Sequence, residues 1–194
     1  MGTQILTRTL KFENLGLILV LKADALYSFS NFRAQEMAYA TLLELSHLAD
    51  GPKERIPMIL QSYTPEHRLL QNFSVFDFAT HSKEMLYQRK QYHYPPFSRI
   101  IQVNFYHKNQ QKVQKVAHLF ADLLRPSFTL ETLLGPEAAS IPKINNIYIF
   151  QLLIKIMPEM SPKKVKDLLG SSAEKIASIS SLSTVKIKID VDPL

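Results

Sequence analysis

Apolar positions along the chain follow three rhythms, and each predicts a different element. "GLILVLK" (Gly16 to Lys22) is a continuous apolar run between Asn14 and Asp24, as in a strand buried on both faces of a parallel sheet. From Arg33 to Ala49 the apolar or small residues fall at 34, 37, 38, 41, 42, 45, 48 and 49, a helical stripe. A loop over 51–57 leads to "MILQSY" (58–63), which reads as a second strand. Strand, helix, strand is one βαβ unit, too little for a doubly wound domain and thus a piece of a larger sheet.

Ser74 to Lys90 predicts a helix with Ser74 as N-cap, leading with Phe76 and Phe78 and ending in two cations that suit its negative end. Tyr94 before Pro95 is pushed out of the α region and Pro96 lacks an N–H, so the helix stops there. The third rhythm is alternation. Ile101, Val103 and Phe105 share one face of a strand over Arg99 to Tyr106, with Gln102, Asn104 and Tyr106 on the other. Asn109 then caps a helix with apolar positions 113, 116, 117, 120, 123 and 124, ending at Pro126. "IYIFQLLIKI" (147–156) is a long central-type strand, and Ser161-Pro162 opens a helix with apolar positions 165, 168, 169, 176 and 179. Val185, Ile187, Ile189 and Val191 alternate in a last strand.

With a short strand near Ala139–Lys143, the order becomes βαββαβ, the split arrangement of ferredoxin-like domains. The predicted class is therefore α/β plus α+β. A βαβ piece occupies 1–73, a connecting helix and proline-rich junction 74–96, and a two-layer ferredoxin-like domain 97–194. Tyr94, Pro95, Pro96 and Phe97 form the structural junction, whose rings cover the seam where one unit stops and the next begins.

At 46% hydrophobic and 21% charged, the 194 residues suit an ordinary globular protein. There is no cysteine, and the six histidines show no ligand spacing, so no metal site is predicted. No apolar run spans a bilayer and the N-terminus lacks a signal-peptide layout, so a cytoplasmic chain without membrane contact is expected. The net charge of +6 is uneven: residues 1–97 hold 10 Lys/Arg against 9 Asp/Glu, and 98–194 hold 13 against 8. That excess suits a polyanion or an acidic peptide, or a plain solvated face. Lys163, Lys164 and Lys166 sit at a helix start, where the dipole disfavours cations, which fits an external anion as well as a solvated face. Asp190 and Asp192 share one strand face, as a cation site or an edge device. A phosphate loop and a G-x-S-x-G elbow are both missing, so no catalytic residue is predicted.

Several segments, in order, resemble the C-terminal part of the primosomal protein N′ family of replication-restart DNA helicases. They are "GTQ" (2–4), Ala23-Asp24, "NFRAQE" (31–36), "LQSYTPEH" (60–67), "YPPFSRI" (94–100), "LLGPEAASI" (133–141), "YIFQLLIKI" (148–156) and "IDVDP" (189–193). The resemblance implies a RecA-like lobe remnant before a C-terminal domain that supports single-stranded or forked DNA. It also implies contact with the acidic tail of single-stranded-DNA-binding protein and with the remainder of the helicase. ATP and zinc are implied for the full-length family only, and no cofactor is expected in this chain. Arg8-Thr9-Leu10 replaces the family's K-G-H triplet, and His47-Leu48-Ala49-Asp50-Gly51 replaces a GRAGR run whose arginines reach ATP phosphates. The chain alone is thus expected to be non-catalytic, a fragment or a decayed relative of an ATP-dependent helicase. The basic run before "YIFQLL" is reduced to Lys143, followed by Ile144, Asn145 and Asn146. Candidate DNA or acidic-tail contacts are Arg99, Lys143, Lys155, Lys163, Lys164 and Lys166. The alternative is a stand-alone ferredoxin-like protein-interaction module with no DNA role.

Overall fold

A computed structural model describes residues 15–28, 31–49, 56–75 and 77–193. The motif segments at 2–4 and 8–10, together with Asp50, Gly51 and Phe76, lie outside the described residues. The chain divides into two compact units, Met1–Gln88 and Arg89–Leu194.

In the first unit, β1 (Ile18–Val20) and β2 (Met58–Leu60) pair in parallel, Ile18 against Met58 through Val20 against Leu60. The run from Gly16 to Lys22 yields only three strand residues. Lys22 takes a left-handed φ of 51° and a single 3-10 turn follows at Ala23–Leu26. Helix α1 (Ala34–Leu48) crosses between the strands and buries Ala38, Tyr39 and Leu42. Val20, Met58 and Leu60 pack on this core from one sheet face. The expectation of burial on both faces fails: Leu19 is 51% exposed and Leu17, Leu21 and Ile59 are similarly bare, because among the described residues helices cover one face only.

The helix expected over 74–90 starts only at Phe78, and a separate helix that was not expected precedes it, so this stretch holds two helices. The first, α2 (Arg68–Ser74), is capped by His67, whose Nδ1 accepts the Leu69 N–H at 3.3 Å, and it completes the core with Leu69, Leu70 and Phe73. Ser74 closes that helix rather than opening the next, its hydroxyl donating to the Gln71 carbonyl at 2.7 Å. Helix α3 (Phe78–Gln91) begins instead behind Asp77, whose carboxylate accepts the Thr80 N–H at 2.9 Å.

The second unit contains β3 (Arg99–His107), α4 (Gln110–Leu124), β4 (Leu133–Ile144), β5 (Ile147–Ile156), α5 (Pro162–Ala177) and β6 (Lys186–Val191). Its sheet runs β4-β5-β3-β6, and every neighbouring pair is antiparallel. Register sets the core. Ile101, Val103 and Phe105 lie between Ile154, Leu152 and Phe150 on one side and Val191, Ile189 and Ile187 on the other. Onto that face α4 brings Val113, Val116, Ala117, Phe120 and Leu124, and α5 brings Val165, Leu169 and Ile176. Phe105 meets Phe120 edge to face at 5.4 Å, and each such fully buried side chain contributes about 1.5–3 kcal/mol.

Asn109 caps α4 by accepting the Lys112 N–H at 2.9 Å. Ser161 holds the N-cap position of α5, but its hydroxyl makes no capping bond. The short strand near Ala139–Lys143 is twelve residues long, with register irregularities between Leu134 and Glu137 and between Ala138 and Lys143. Gly135 is required within it: φ is +96°, and a Cβ would stand 3.0 Å from the Gln151 carbonyl oxygen. Asn145 and Asn146, with φ of 47° and 64°, make the two-residue turn joining β4 to β5. Among the described residues, no helix is long and apolar enough to cross a membrane.

Candidate nucleic-acid interface

The proline junction is built from backbone bonds and one buried cation. Tyr94 N–H donates to the Arg89 carbonyl at 2.7 Å, closing α3, and Phe97 N–H donates to the Tyr94 carbonyl at 3.0 Å around the cis Pro95–Pro96 bond. Arg89 Nη1 reaches the Pro95 carbonyl at 3.2 Å, and the Ser98 hydroxyl donates to the His93 carbonyl at 2.6 Å. Under these turns lies Lys155 of β5, only 5% exposed. Its Nζ donates to the Tyr92 carbonyl at 2.6 Å and stands 4.1 Å from the centre of the Tyr94 ring. Burial pushes the Lys155 pKa down, opposed by Glu131, and burial pushes the Tyr94 hydroxyl up. Tyr94 and Phe97 are both partly buried, and Tyr94 is the ring that faces the Lys155 ammonium.

The six candidate contacts therefore separate. Lys155 is spent on the junction. Arg99 places Nη2 at 2.7 Å and Nε at 3.1 Å from Asp192 Oδ2, and Asp192 Oδ1 accepts the Ile100 N–H at 3.3 Å, so this cation is neutralised where β6 ends. Asp190 faces Lys188 at 3.4 Å. The pair of acids at the chain's end thus serves cations of its own sheet. Lys143, on the hairpin, lies 4.6 Å from the Tyr148 ring centre and 3.3 Å from its hydroxyl. Lys163, Lys164 and Lys166 remain exposed in the first turns of α5, with no acid in the first turn and no ion pair among the described residues. Three ammonium groups held together against the helix dipole raise the local positive potential, which favours anionic ligands.

The first unit gathers a different set. Asp24 accepts from the Ser62 hydroxyl at 2.7 Å, the Thr64 hydroxyl at 2.8 Å, the Tyr63 N–H at 2.9 Å, the Tyr27 hydroxyl at 3.1 Å and the Thr64 N–H at 3.2 Å. The Tyr63 N–H bond, then the Ser62 hydroxyl, holds its carboxyl far below the usual carboxylate range. Tyr27 stacks on His67 at 4.3 Å. Sequence reasoning marked "AD" and "QSYTPEH" separately and missed that one carboxylate ties them together. Among the described residues no three His, Cys, Asp or Glu gather as metal ligands.

Fold and site together define a mixed α/β chain with two sheets, whose second unit is a two-layer α+β domain carrying an exposed lysine cluster. A family profile, primosomal protein N C-terminal domain, matches residues 90–194, and the chain belongs to that family. It is 35% identical to the replication restart protein PriA of Synechocystis sp. over the whole of this chain and 22% of that protein. It is 29% identical to the Bacillus subtilis protein of the same name, over the whole chain and 24% of that protein. The Borreliella burgdorferi counterpart is 28% identical, again over the whole chain and 28% of that protein. The chain spans about a quarter of the length of these relatives and corresponds to their C-terminal portion.

Proposed function

We propose that this chain is the non-catalytic C-terminal portion of a replication-restart DNA helicase, contacting the phosphates of single-stranded or forked DNA through its second unit. The same face would take the acidic tail of single-stranded-DNA-binding protein. The observation that carries this reading is the exposed cluster Lys163, Lys164 and Lys166, without ion pairs among the described residues, on the unit matched by the family profile. A ferredoxin-like fold for that unit is supported by its order β4-β5-β3-β6 with a helix after β3 and another after β5. A RecA-like remnant for the first is supported by a parallel strand pair joined through α1. Work in the cytoplasm follows from that role.

ATP and zinc belong to the parent helicase in this reading. Neither fits the residues at hand: no cysteine supplies a thiolate, and no phosphate loop cradles a nucleotide. Purified chain should turn over no ATP, with or without forked DNA.

Each neutralised phosphate on a single strand contributes about −0.7 to the slope of log K against log salt. Three clustered lysines with Lys143 give a slope of roughly −2 to −3 and weak affinity, about 10⁻⁴ to 10⁻⁶ M. Fluorescence anisotropy with a single-stranded oligonucleotide and an acidic tail peptide reads both partners. Changing the three lysines to Gln together should remove about 2 from the slope. If neither ligand binds at low salt, or the triple variant binds unchanged, the reading fails and the interaction module without a DNA role takes its place.

A further inference from the structure

Strand β6 forms one margin of the second unit's sheet. Asp192 donates its N–H to the Ile100 carbonyl at 2.7 Å, so by alternation Asp190, Lys188 and Lys186 also turn their backbone groups toward β3. The amides and carbonyls of Ile187, Ile189 and Val191 therefore point out of the sheet, and among the described residues nothing pairs with them. Their side chains lie on the helix-covered face at the margin where that cover runs out: Ile189 is 39% exposed and Val191 51%. Lys188 and Asp190 stand together on the opposite face, 3.4 Å apart. Edges kept from pairing are shortened, bulged, broken by proline or loaded with lysine. β6 runs six residues in unbroken register without proline, and its Lys188 is answered by Asp190.

We infer that β6 is an interface between two copies of this chain, paired antiparallel about a two-fold axis at Ile189. Charge selects both the occupant and the register. Centred on Ile189, the pairing sets Lys188 of each copy opposite Asp190 of the other and Ile187 opposite Val191, and the outward backbone groups of both copies meet as hydrogen-bonded pairs. Centred on Lys188 it would oppose Lys188 to itself, centred on Asp190 it would oppose Asp190 to itself, and centred on Ile187 it would set Lys186 against Lys188. In the favoured register the exposed aliphatic side chains cover one another beside the helices, and two four-stranded sheets become one. Two six-residue strands bury less than the about 800 Å² per partner of a stable complex, so the association is weak and depends on concentration. This interface goes beyond the DNA reading and does not rest on it.

Sedimentation velocity of the full chain over a concentration series, at low salt and without DNA, reads the association. Lys188→Asp and Asp190→Lys should each weaken it about tenfold, because two opposite-charge pairs become two like-charge pairs. Mixed one to one, the two variants should regain the parent's association, since lysine again faces aspartate between unlike copies. Ile189→Cys reads the register in a chain that has no cysteine of its own. The Cα atoms of a hydrogen-bonded pair stand about 5.5 Å apart, within disulfide reach, so mild oxidation should give a covalent dimer. Ile187→Cys, four residues from its own counterpart in this register, should stay a monomer under the same oxidation. A chain that is monomeric at every concentration overturns the proposal, as do charge variants that associate like the parent. So does a mixture that fails to recover although both variants melt like the parent, or equal cross-linking at 187 and 189.

Discussion

Replacing Gly135 by alanine adds one methyl group to β4 where φ is +96° and the new Cβ would lie 3.0 Å from the Gln151 carbonyl oxygen and 3.2 Å from the Glu137 nitrogen. Both neighbours are backbone atoms, and Gln151 is itself paired with Asn104 of β3, so neither can withdraw cheaply. A side chain in the left-handed half of φ costs about 1–2 kcal/mol. Forced overpacking adds about 1–3 kcal/mol, and the stiffer unfolded chain returns about 0.4–1 kcal/mol. The net loss is about 2–4 kcal/mol, and in a unit of this size each kcal/mol moves the melting midpoint by about 4–8 °C. Gly170 supplies the opposite case. It lies inside α5 with nothing within 4 Å of an added Cβ, so Gly170→Ala should gain about 0.5–1 kcal/mol from helix propensity alone. Circular dichroism melts of the whole chain, with hydrogen exchange on β5 amides to identify the transition of the second unit, measure both. A Gly135→Ala protein melting within roughly 2 °C of the parent would refute the steric reasoning, as would a destabilised Gly170→Ala.

Three further outcomes follow from the titratable groups. Asp24 has a depressed pKa, so its contribution is complete above the ordinary value of 3.8 and is lost as pH falls below it; Asp24→Asn should flatten this acid limb and increase exchange at the Tyr63 and Thr64 amides. His81 is buried against Tyr39 at 4.6 Å, and burial lowers its pKa, with Glu84 and Glu36 opposing and His67 reinforcing. The unfolded chain then binds the extra proton first, so the first unit should lose stability as pH falls below about 6.5, and urea melts of His81→Phe should lack that slope. Lys155→Met removes an ammonium that faces the junction rather than solvent, so its salt slope for DNA should equal the parent's, and a drop of about 0.7 would return Lys155 to the binding face.

The second unit was legible wherever a period ran long enough to speak. Alternation over Arg99 to Tyr106 and the Asn109 cap located β3 and α4, because side-chain direction and capping are local properties. Helix α2 escaped because seven residues carry barely two turns and its cap is a histidine. Most of β4 escaped because Gly135-Pro136 and Pro142 read as loop, although its pairing needs only some of its residues in register. The site was harder to read. Lys155 alternates onto the face of β5 opposite the core, and only a segment 63 residues away shows that it is covered there. Asp24 likewise meets partners 38 to 40 residues on, a distance at which neither periodicity nor composition carries information.

Strand β3 is an inner strand of its sheet, paired with β5 on one side and β6 on the other, yet it is the first of the four to leave the ribosome. Vectorial synthesis therefore delivers a strand carrying Val103 and Phe105, both fully buried in the finished unit, well before either pairing partner exists. In the nascent chain α4 is the neighbour available early, and it can shelter one face of β3 but neither hydrogen-bonding edge. Closure waits for Ile147 onward and then for Lys186 onward, because both pairing partners of β3 are made after α4. Until then the central strand is the part of the polypeptide most open to mispairing, and a translational pause after α4 would lengthen that exposure.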